Sequence, residues 1–506
     1  MTMTALLGHL MEIDFAPQWK KWMASTLRQL FDATIIKNVK SDMTQLSTNL
    51  KSLARHSQML VIWTDCDREG ENIGAEVAAV CRMVNPRIVV KRALFSVIQP
   101  REVNSAWNSL VELDMLAAAA VDARTELDLR VGAIFTRFQT LRLKYRFTEL
   151  QDKKVISYGP CQFPTLGFVV ERFQRAQSFV EEPFWTIDVS VSKDGVEAKF
   201  KWTRDHLFDH HVALILYELC VDQPQGTITD VTAKPTSKWT PLPLNTVELQ
   251  KNGSRFLKLP SDRVMQVAEA LYNQGIISYP RTETDAFADG FELIPLIAKQ
   301  TQDPQWGNYA AELLNGKFRK PRKGKNNDQA HPPIFPVRAA MNLQGDEKKV
   351  FDFITRRFLA CCSNEAKGHS TTIKLKIAQE EFVAKGLMIL ERNFLDVYPF
   401  EKWTDNHIPV FQVGERVIPS ALEMNEGKTS RPNLLTEADL ITLMDKNGIG
   451  TDATIHEHIK MILNREYARK EGIYFHPTTL GMALVTAYDQ MDIDFSLSKP
   501  FLRSMV

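Results

Sequence analysis

The stretch "MLVIWTDCDREGE", residues 59–71, holds the pattern that decides the fold of the first part of the chain. Its apolar run ends in an acid at Asp65, which is typical of a buried parallel strand. Residues 68–83 then have helical periodicity, and residues 87–98 form a second strand candidate. This order predicts a β-α-β unit with acids at the carboxyl end of its first strand, where open α/β sheets bind ligands and metals.

Three acidic residues follow that strand at alternate positions: Asp65, Asp67 and Glu69. Alternate residues of an extended or turning segment project to one side, and three converging carboxylates make a hard-oxygen site suited to Mg²⁺. Such an ion can neutralise phosphate oxygens during phosphoryl transfer. The alternative is a polar turn between strand and helix, whose acids are favourable at a helix N-terminus.

A second stretch, "GIISYPRTETDAF" (residues 275–287), places Tyr279 before a proline and Arg281 two positions later. Proline favours extended backbone for the residue before it. A phenol has a pKa of about 10, so a tyrosine nucleophile needs a nearby positive field or base. Arg281 supplies a permanent cation that can bind a phosphate through two N–H groups. Attack on a phosphate would give a phosphotyrosine ester; the alternative is a Tyr-Pro turn that leads out of a helix.

That helix is predicted over residues 261–274, directly before the tyrosine stretch. Val264 and Leu271 share one apolar face, Ser261 is a candidate N-cap, and Gly275 is a candidate C-terminal stop. The pattern therefore predicts that a helix delivers the chain to Tyr279.

The rest of the chain alternates between helical and strand-rich segments. Residues 113–150 and 436–468 have helical patterns, whereas residues 184–240 and 371–390 show strand alternation. The strand-rich segments lie on either side of residues 241–370. That block is therefore predicted to be a domain inserted between the two halves of a strand-rich domain.

Composition limits the classes of protein that need to be considered. The chain has 506 residues, 44% hydrophobic and 24% charged, which is ordinary for a globular protein of two to four domains. Its six cysteines form no C-x-x-C pair, so a zinc finger within this chain is not expected. Free thiols indicate a reducing, intracellular compartment. The sequence has no apolar run of about 18 residues, so it predicts no membrane-spanning helix.

The net charge of +1 neither favours nor excludes a nucleic-acid partner. A nucleic-acid-binding protein of this charge must concentrate its cations locally. The basic stretch "KFRKPRKGK" (residues 317–325) is one such place, with Lys323 and Lys325 at its end. The alternative is a solvated loop.

The acidic motif resembles that of the Toprim fold, which topoisomerases, bacterial-type primases and some nucleases share. Together with "ISYPRTET", it resembles the type IA DNA topoisomerases, and among them the alpha type of eukaryotic topoisomerase III. A Toprim nuclease or primase would use water or a sugar hydroxyl as nucleophile, and "SYPRTET" argues against it. Further segments match the family in order: "ISYGPCQFPTLGFVVERF" (156–173), "PLNTVELQK" (243–251), "DQAHPPIFP" (328–336), "RPNLLTEADLI" (431–441) and "NGIGTDATIHEHI" (447–459).

The resemblance implies a multidomain fold of α/β, helical and β parts, arranged like a padlock around a central hole. Its parts would be a Toprim domain, a helical base, a strand-rich arch that opens and closes, and a tyrosine-bearing cleavage domain. Their expected ranges are 1–112 for the Toprim domain, 113–175 and 416–506 for the base, 176–240 and 371–415 for the arch, and 241–370 for the cleavage domain.

The resemblance also assigns roles to single residues. Tyr279 would attack single-stranded DNA and become linked to its 5′ phosphate, while Arg281 positions the scissile phosphate. The three acids Asp65, Asp67 and Glu69 would bind Mg²⁺. The DNA contacts that the resemblance implies are His331 and Arg92. The basic stretch lies just before His331, and its charge adds Lys323 and Lys325 to the expected DNA contacts.

Two further segments resemble functional motifs but are not expected to be functional sites. "RDHLFDHH" (residues 204–211) could be a metal cluster, but the resemblance implies a structural segment. "GIGTDAT" (residues 448–454) has no lysine after its glycines, so it is not a phosphate-binding P-loop and no ATP binding is expected.

The chain departs from the family pattern at both ends. Family members begin with a strand that carries a Glu-Lys-Pro-Ser-like motif, and no such motif precedes Asp65. "MTMTALLGHLMEIDF" at the start and "DFSLSKPFLRSMV" at the end both resemble points inside longer relatives, which suggests truncation at both ends. A sheet without its first strand would leave backbone groups unpaired, so we expect residues 1–110 to be poorly ordered or aggregation-prone.

The resemblance implies transient single-strand cleavage, strand passage and religation without ATP. This activity would serve relaxation, decatenation and the dissolution of recombination intermediates in the nucleus. The expected partners are single-stranded DNA, a RecQ-family helicase and an OB-fold subunit, with no membrane. The alternative is a non-catalytic fragment that binds single-stranded DNA.

Overall fold

The computed structural model describes residues 1–152, 155–451, 453–491 and 496–499. Most of the closing segment "DFSLSKPFLRSMV" therefore lies outside the described residues. The described helices, in chain order, are α1 (Thr44–Arg55), α2 (Arg68–Arg82), α3 (Pro100–Asn108), α4 (Met115–Arg146), α5 (Gln162–Gln177), α6 (His210–Asp222), α7 (Thr246–Asn252), α8 (Ser261–Asn273), α9 (Ile294–Gln300), α10 (Gly307–Glu312), α11 (Gly345–Cys361), α12 (Glu437–Lys446), α13 (Ile455–Asn464) and α14 (Thr479–Met491).

The described strands pair into one large sheet and three pairs. They are β1 (Met11–Phe15), β2 (Ile35–Val39), β3 (Met59–Ile62), β4 (Val89–Arg92), β5 (Pro183–Lys193), β6 (Val196–Trp202), β7 (Gly226–Lys238), β8 (Ala366–Ile377), β9 (Glu380–Glu391), β10 (Arg416–Val417), β11 (Ala421–Lys428), β12 (Ala468–Glu471) and β13 (Tyr474–Pro477). The pairs are β1 with β2, β3 with β4, and β12 with β13.

The N-terminal part, residues 1–112, contains the predicted β-α-β unit. β3 and β4 are parallel, with Ile62 opposite Arg92, and α2 connects them. The predicted second strand is shorter than residues 87–98, because the chain turns away after Arg92. The core of the N-terminal part is a small aliphatic cluster that includes Leu50, Ile62 and Val80.

The large sheet has seven antiparallel strands in the order β10-β7-β8-β9-β6-β5-β11. It confirms the strand alternation on both sides of the central block, because β7 pairs with β8 across the whole of that block. Its apolar face buries Ile187, Phe200 and Phe382. Helix α6 lies inside a segment that the sequence predicted to be strand-rich, and it packs against β5 and β11.

The tyrosine block, residues 241–370, surrounds an aromatic-rich core that also includes Phe394 and Tyr398. The helix predicted before the tyrosine is α8, and Gly275 ends it with a φ of +65°. The N-cap prediction was wrong. Pro260 occupies that position, and the N–H of Ser261 donates to Glu437 Oε1 (2.6 Å).

A fourth core joins helices from distant parts of the chain. Side chains of α5, among them Phe163 and Leu166, pack with Leu440 of α12 and Ile459 of α13. The predicted helical pattern over 436–468 is thus confirmed as two helices separated by a turn.

The boundaries expected for the Toprim domain, the base, the arch and the cleavage domain stay a prediction.

Two features expected from composition can be compared with the structure. All six cysteines are free, and the adjacent pair Cys361 and Cys362 is buried. Among the described residues, no helix is both long enough and apolar enough to cross a membrane.

Candidate active site

The acidic turn, the tyrosine and the His331 loop meet at a cleft of about 2640 Å³ between the N-terminal part and the tyrosine block. We call this the tyrosine cleft. Its lining includes Asp65, Asp67, Tyr279, Arg281 and His331. The structure therefore brings together residues that are more than 200 positions apart in the sequence.

Tyr279 is buried, and its hydroxyl donates to Asp67 Oδ2 at 2.5 Å. Its ring meets the ring of Tyr272, from α8, at a centroid distance of 5.2 Å. Burial and the adjacent charges of Asp67 and Asp65 raise the pKa of Tyr279 well above its ordinary value, and Arg281 opposes them. In this arrangement the phenol keeps its proton at neutral pH.

Asp65 and Asp67 occupy the turn between β3 and α2. Asp67 is the N-cap of α2 and accepts from the N–H of Gly70 (2.7 Å), while Asp65 accepts from the hydroxyl of Tyr272 (3.1 Å). Burial, and then the charge of Asp67, raise the pKa of Asp65. Gly70 permits this tight turn, because a Cβ there would lie 2.0 Å from the carbonyl oxygen of Asp65.

Glu69 does not join the other two acids. It bonds His9 (3.0 Å) and also pairs with Arg124. The hydrogen bond to His9 lowers the pKa of Glu69 to about 2, and the same bond raises the pKa of His9 to about 9. Glu69 is thus engaged as a structural ion pair.

The expected three-ligand Mg²⁺ site is accordingly not formed by the side chains as they lie. Within the ranges that the structure describes, no three His, Cys, Asp or Glu side chains are arranged to hold a metal ion. Asp65 and Asp67 do fit a divalent cation, because both offer carboxylate oxygens and both line the tyrosine cleft. Glu69 does not fit as it is placed.

Arg281 lies in the cleft beside Tyr279. Its Nε and Nη2 both donate to Glu269 Oε1 of α8, at 2.9 and 2.6 Å. His456 of α13 is buried nearby, where burial, followed by the charge of Arg281, lowers its pKa to about 4. The sequence analysis did not single out Glu269 or His456 as site residues. Helical spacing places Glu269 three residues before Tyr272 on α8, and this spacing is the signal that could have linked Glu269 to the site.

His331 packs against the nucleophile candidate. Its ring centroid lies 4.5 Å from that of Tyr279, and a 3.0 Å hydrogen bond joins its Nδ1 to Ser96 Oγ. Burial lowers the pKa of His331, so the ring is neutral at pH 7. The loop is anchored by Asp328, whose carboxylate accepts from the N–H of His331 (2.8 Å) and from the hydroxyl of Thr282 (2.9 Å).

The structure does not place Arg92 where DNA could contact it, and this expectation needs correction. Arg92 is 0% exposed, its Nε donates to Glu71 Oε1 (2.7 Å), and its Nη2 donates to the carbonyl of Asp65 (2.5 Å). A guanidinium with these partners stabilises the acidic turn from inside the protein rather than from the cleft. The long-range pairing with Glu71 gives no local signal in the sequence.

The basic stretch 317–325 is exposed in part and lies outside the lining of the tyrosine cleft. Lys323 pairs with Asp289 (2.9 Å), as does Lys320 (2.6 Å). Lys325 is exposed. Asp289 thus pairs with two of the lysines of this stretch.

Comparisons with known proteins agree with this geometry. Residues 112–504 match the family described as DNA topoisomerase, and residues 1–98 match the Toprim domain, a class that generally binds divalent metal. The chain is 51% identical to human DNA topoisomerase 3-alpha over 506 residues, which is 100% of this chain and 50% of that protein. It is 47% identical to DNA topoisomerase 3 of Candidozyma auris, covering 99% of this chain and 80% of that protein.

A solved structure shares the fold. Full-length topoisomerase I from Thermotoga maritima aligns with a TM-score of 0.77 and 24% identity, over 99% of this chain and 81% of that one. This likeness confirms the predicted type IA architecture, although the chain spans about half the length of the human and mouse relatives. By the family match over most of its length and its identity to topoisomerase 3 proteins, the chain belongs to the type IA DNA topoisomerases.

Proposed function

We propose that this chain cleaves and rejoins single-stranded DNA through a transient phosphotyrosine link at Tyr279. The observation that carries this proposal is the contact of 2.5 Å between the Tyr279 hydroxyl and Asp67, inside a cleft that also holds Arg281 and His331. A tyrosine that served only as a turn residue would have no need of two acids and a cation around its hydroxyl.

The proposed step exchanges one phosphate ester for another. The Tyr279 Oη forms a bond to the scissile phosphorus while the bond from that phosphorus to the 3′ oxygen of the preceding nucleotide breaks. The phenol gives up its proton, and the leaving 3′ oxygen gains one. Religation runs the same exchange backwards, so the energy of the backbone bond is kept and ATP is not consumed.

Each nearby side chain has a part in this scheme. Asp67 holds the hydroxyl of Tyr279 and is the nearest acceptor for its proton. Arg281, fixed by Glu269, presents its cation to the phosphate, and His331 packs against the tyrosine ring. Asp65 and Asp67 would hold Mg²⁺. When bound, the ion would offset the negative charge of the carboxylates and the phosphate.

The wider role is what the family resemblance implies, and it is part of the proposal. The chain would relax and decatenate DNA and dissolve recombination intermediates in the nucleus, with a RecQ-family helicase and an OB-fold subunit as partners. The arch over residues 176–240 and 371–415 would open while the covalent link holds the broken end. His331, Lys323 and Lys325 remain the proposed DNA contacts.

A single experiment tests the cleavage proposal. The protein is mixed with a 3′-end-labelled single-stranded oligonucleotide and Mg²⁺, denatured, and examined for labelled protein. We expect a labelled adduct that Tyr279→Phe abolishes, because the variant lacks only the attacking oxygen. An adduct that persists in Tyr279→Phe would show that another nucleophile acts.

The second candidate is a fragment that binds single-stranded DNA and does not cleave it. The position of Glu69, which bonds His9 and Arg124, favours this candidate because, of the three acids of the turn, it leaves Asp65 and Asp67 for a metal. Oligonucleotide binding in a gel-shift assay of the undenatured protein, with no adduct in the cleavage experiment, would establish it.

A further inference from the structure

Ser96 joins the N-terminal part directly to the catalytic residues of the tyrosine block. It lies in the segment Leu94–Ile98, which follows β4. The main-chain N–H of Tyr279 donates to the carbonyl of Ser96 (3.0 Å), and the Ser96 Oγ is hydrogen-bonded to His331 Nδ1 (3.0 Å). One residue thus contacts both the backbone of the nucleophile and the ring that packs against it.

The chain around Ser96 fits closely against the tyrosine block. Val97 packs against the aromatic-rich core of that block. On the other side of the contact, a Cβ at Gly275 would lie 2.7 Å from the carbonyl oxygen of Ile98. The two backbones therefore approach each other without room for a side chain, four residues before Tyr279.

The contacts of Ser96 differ in kind from the contacts between tyrosines and carboxylates beside it. Tyr272 and Tyr279 donate to the carboxylates of Asp65 and Asp67, and these bonds depend on what the acids bind. The bonds of Ser96 go instead to the backbone N–H of Tyr279 and to the ring of His331, so neither of them involves the acids.

We infer that Ser96 is a positioning residue, which returns Tyr279 and His331 to the acidic turn each time the two parts close. The inference rests on the proposed function. It adds the residue that aligns Tyr279 and His331 with the acidic turn when the two parts close. Losing the hydroxyl removes one hydrogen bond of the closed state, the one to His331 Nδ1. A typical hydrogen bond corresponds to about a fivefold change in an equilibrium.

The first test measures religation of a preformed adduct in a single turnover. We expect Ser96→Ala to slow religation about fivefold without changing the affinity for the oligonucleotide, and Ser96→Thr to restore the rate because it keeps the hydroxyl. Ser109→Ala is the matched control, since the Oγ of this exposed serine donates to the carbonyl of Ser105 in α3. A Thr variant as slow as the Ala variant would overturn the inference.

The second test needs no catalysis. Amide hydrogen exchange of the DNA-free protein reports the opening of the contact at the N–H of Tyr279. We expect Ser96→Ala to speed exchange about fivefold in peptides that cover residues 276–287, and Ser109→Ala to leave it unchanged. Unchanged exchange in Ser96→Ala would refute the positioning role even if the wild-type chain cleaves. If the wild-type chain forms no adduct, the proposed function fails, while exchange still decides whether Ser96 sets the closure.

Discussion

The two sides of the tyrosine cleft are built differently. The tyrosine side belongs to a large core rich in aromatic side chains, in which Tyr279 itself is buried beside Ile277 and Phe335. The acidic side rests on a small aliphatic cluster and a two-stranded parallel sheet. The acids therefore depend more on specific polar contacts than on packing, and the predictions below test that difference.

The largest expected effect is on the acidic side, at the buried pair of Arg92 and Glu71. Arg92→Met would leave the Glu71 carboxylate, which is 8% exposed, without its cation. We expect a loss of about 3–5 kcal/mol in the free energy of unfolding of the N-terminal part, measured by denaturant titration. Arg87→Met, at an exposed position, is the control and should cost little.

The same variant tests the corrected role of Arg92. If the side chain acts only from behind the acidic turn, adding Glu71→Gln to Arg92→Met should recover part of the stability, because no buried charge is left unpaired. A folded Arg92→Met protein of normal stability that had lost affinity for single-stranded DNA would contradict the structure.

The next effect concerns the surface where the two sides meet. Gly275→Ala puts a Cβ 2.7 Å from the carbonyl of Ile98, at a φ of +65°. The backbone strain alone costs about 1–2 kcal/mol, and the contact adds to it. We expect faster proteolysis between the two parts. Gly316→Ala is the control: Gly316 also has a positive φ but no atom within 4 Å of the added Cβ, so this variant should show the backbone strain without the effect of a close contact.

A smaller effect is expected from Tyr272→Phe, which removes the hydroxyl that donates to Asp65. Loss of this bond should lower the free energy of unfolding by about 1 kcal/mol and also weaken cleavage, since Asp65 loses its support. Tyr309→Phe is matched, because its hydroxyl bonds Ser363 in the same block. It should show the stability loss with normal cleavage; equal cleavage by both variants would remove the role given to Tyr272.

The smallest effect separates two lysines of the basic stretch. If Lys325 contacts a phosphate, Lys325→Ala should reduce the slope of log affinity against log salt by roughly one unit. Lys323→Ala should reduce it less, because Asp289 already pairs with Lys323. Fluorescence titrations with a labelled oligonucleotide at several salt concentrations measure both slopes, and identical slopes for the wild type and Lys325→Ala would exclude that contact.

The parts of the fold that sequence could predict are those with local periodicity. The β3-α2-β4 unit, α8 and the paired strands on both sides of the tyrosine block all follow from residues close together in the chain. Helix α6 was missed because its apolar run "HVALILYELC" has no polar face to mark a helical period. The N-cap of α8 was misplaced because a distant residue, Glu437, engages Ser261.

In the site, the sequence supplied the residue types, and the structure supplied their partners. The structure places the two motifs in one cleft, which holds Tyr279, Asp65 and Asp67. The engagement of Glu69 by His9 and Arg124 depends on elements 60 and 55 positions away, so no spacing rule could reveal it. Ser96 was passed over for a similar reason, since its partner His331 lies 235 positions further along.

The pairing of β7 with β8 also bears on how the chain folds. Lys238 lies opposite Ala366, so more than a hundred residues separate two strands that pair along most of their length. During synthesis β7 leaves the ribosome long before β8 exists, and its free edge could pair with other chains in the meantime. The entropy of closing so long a loop grows only slowly with its length, but non-local pairing of this kind slows folding. We therefore expect the tyrosine block to fold first and to bring the two halves of the sheet together, which would make its aromatic core the part whose early formation limits the yield of the whole protein.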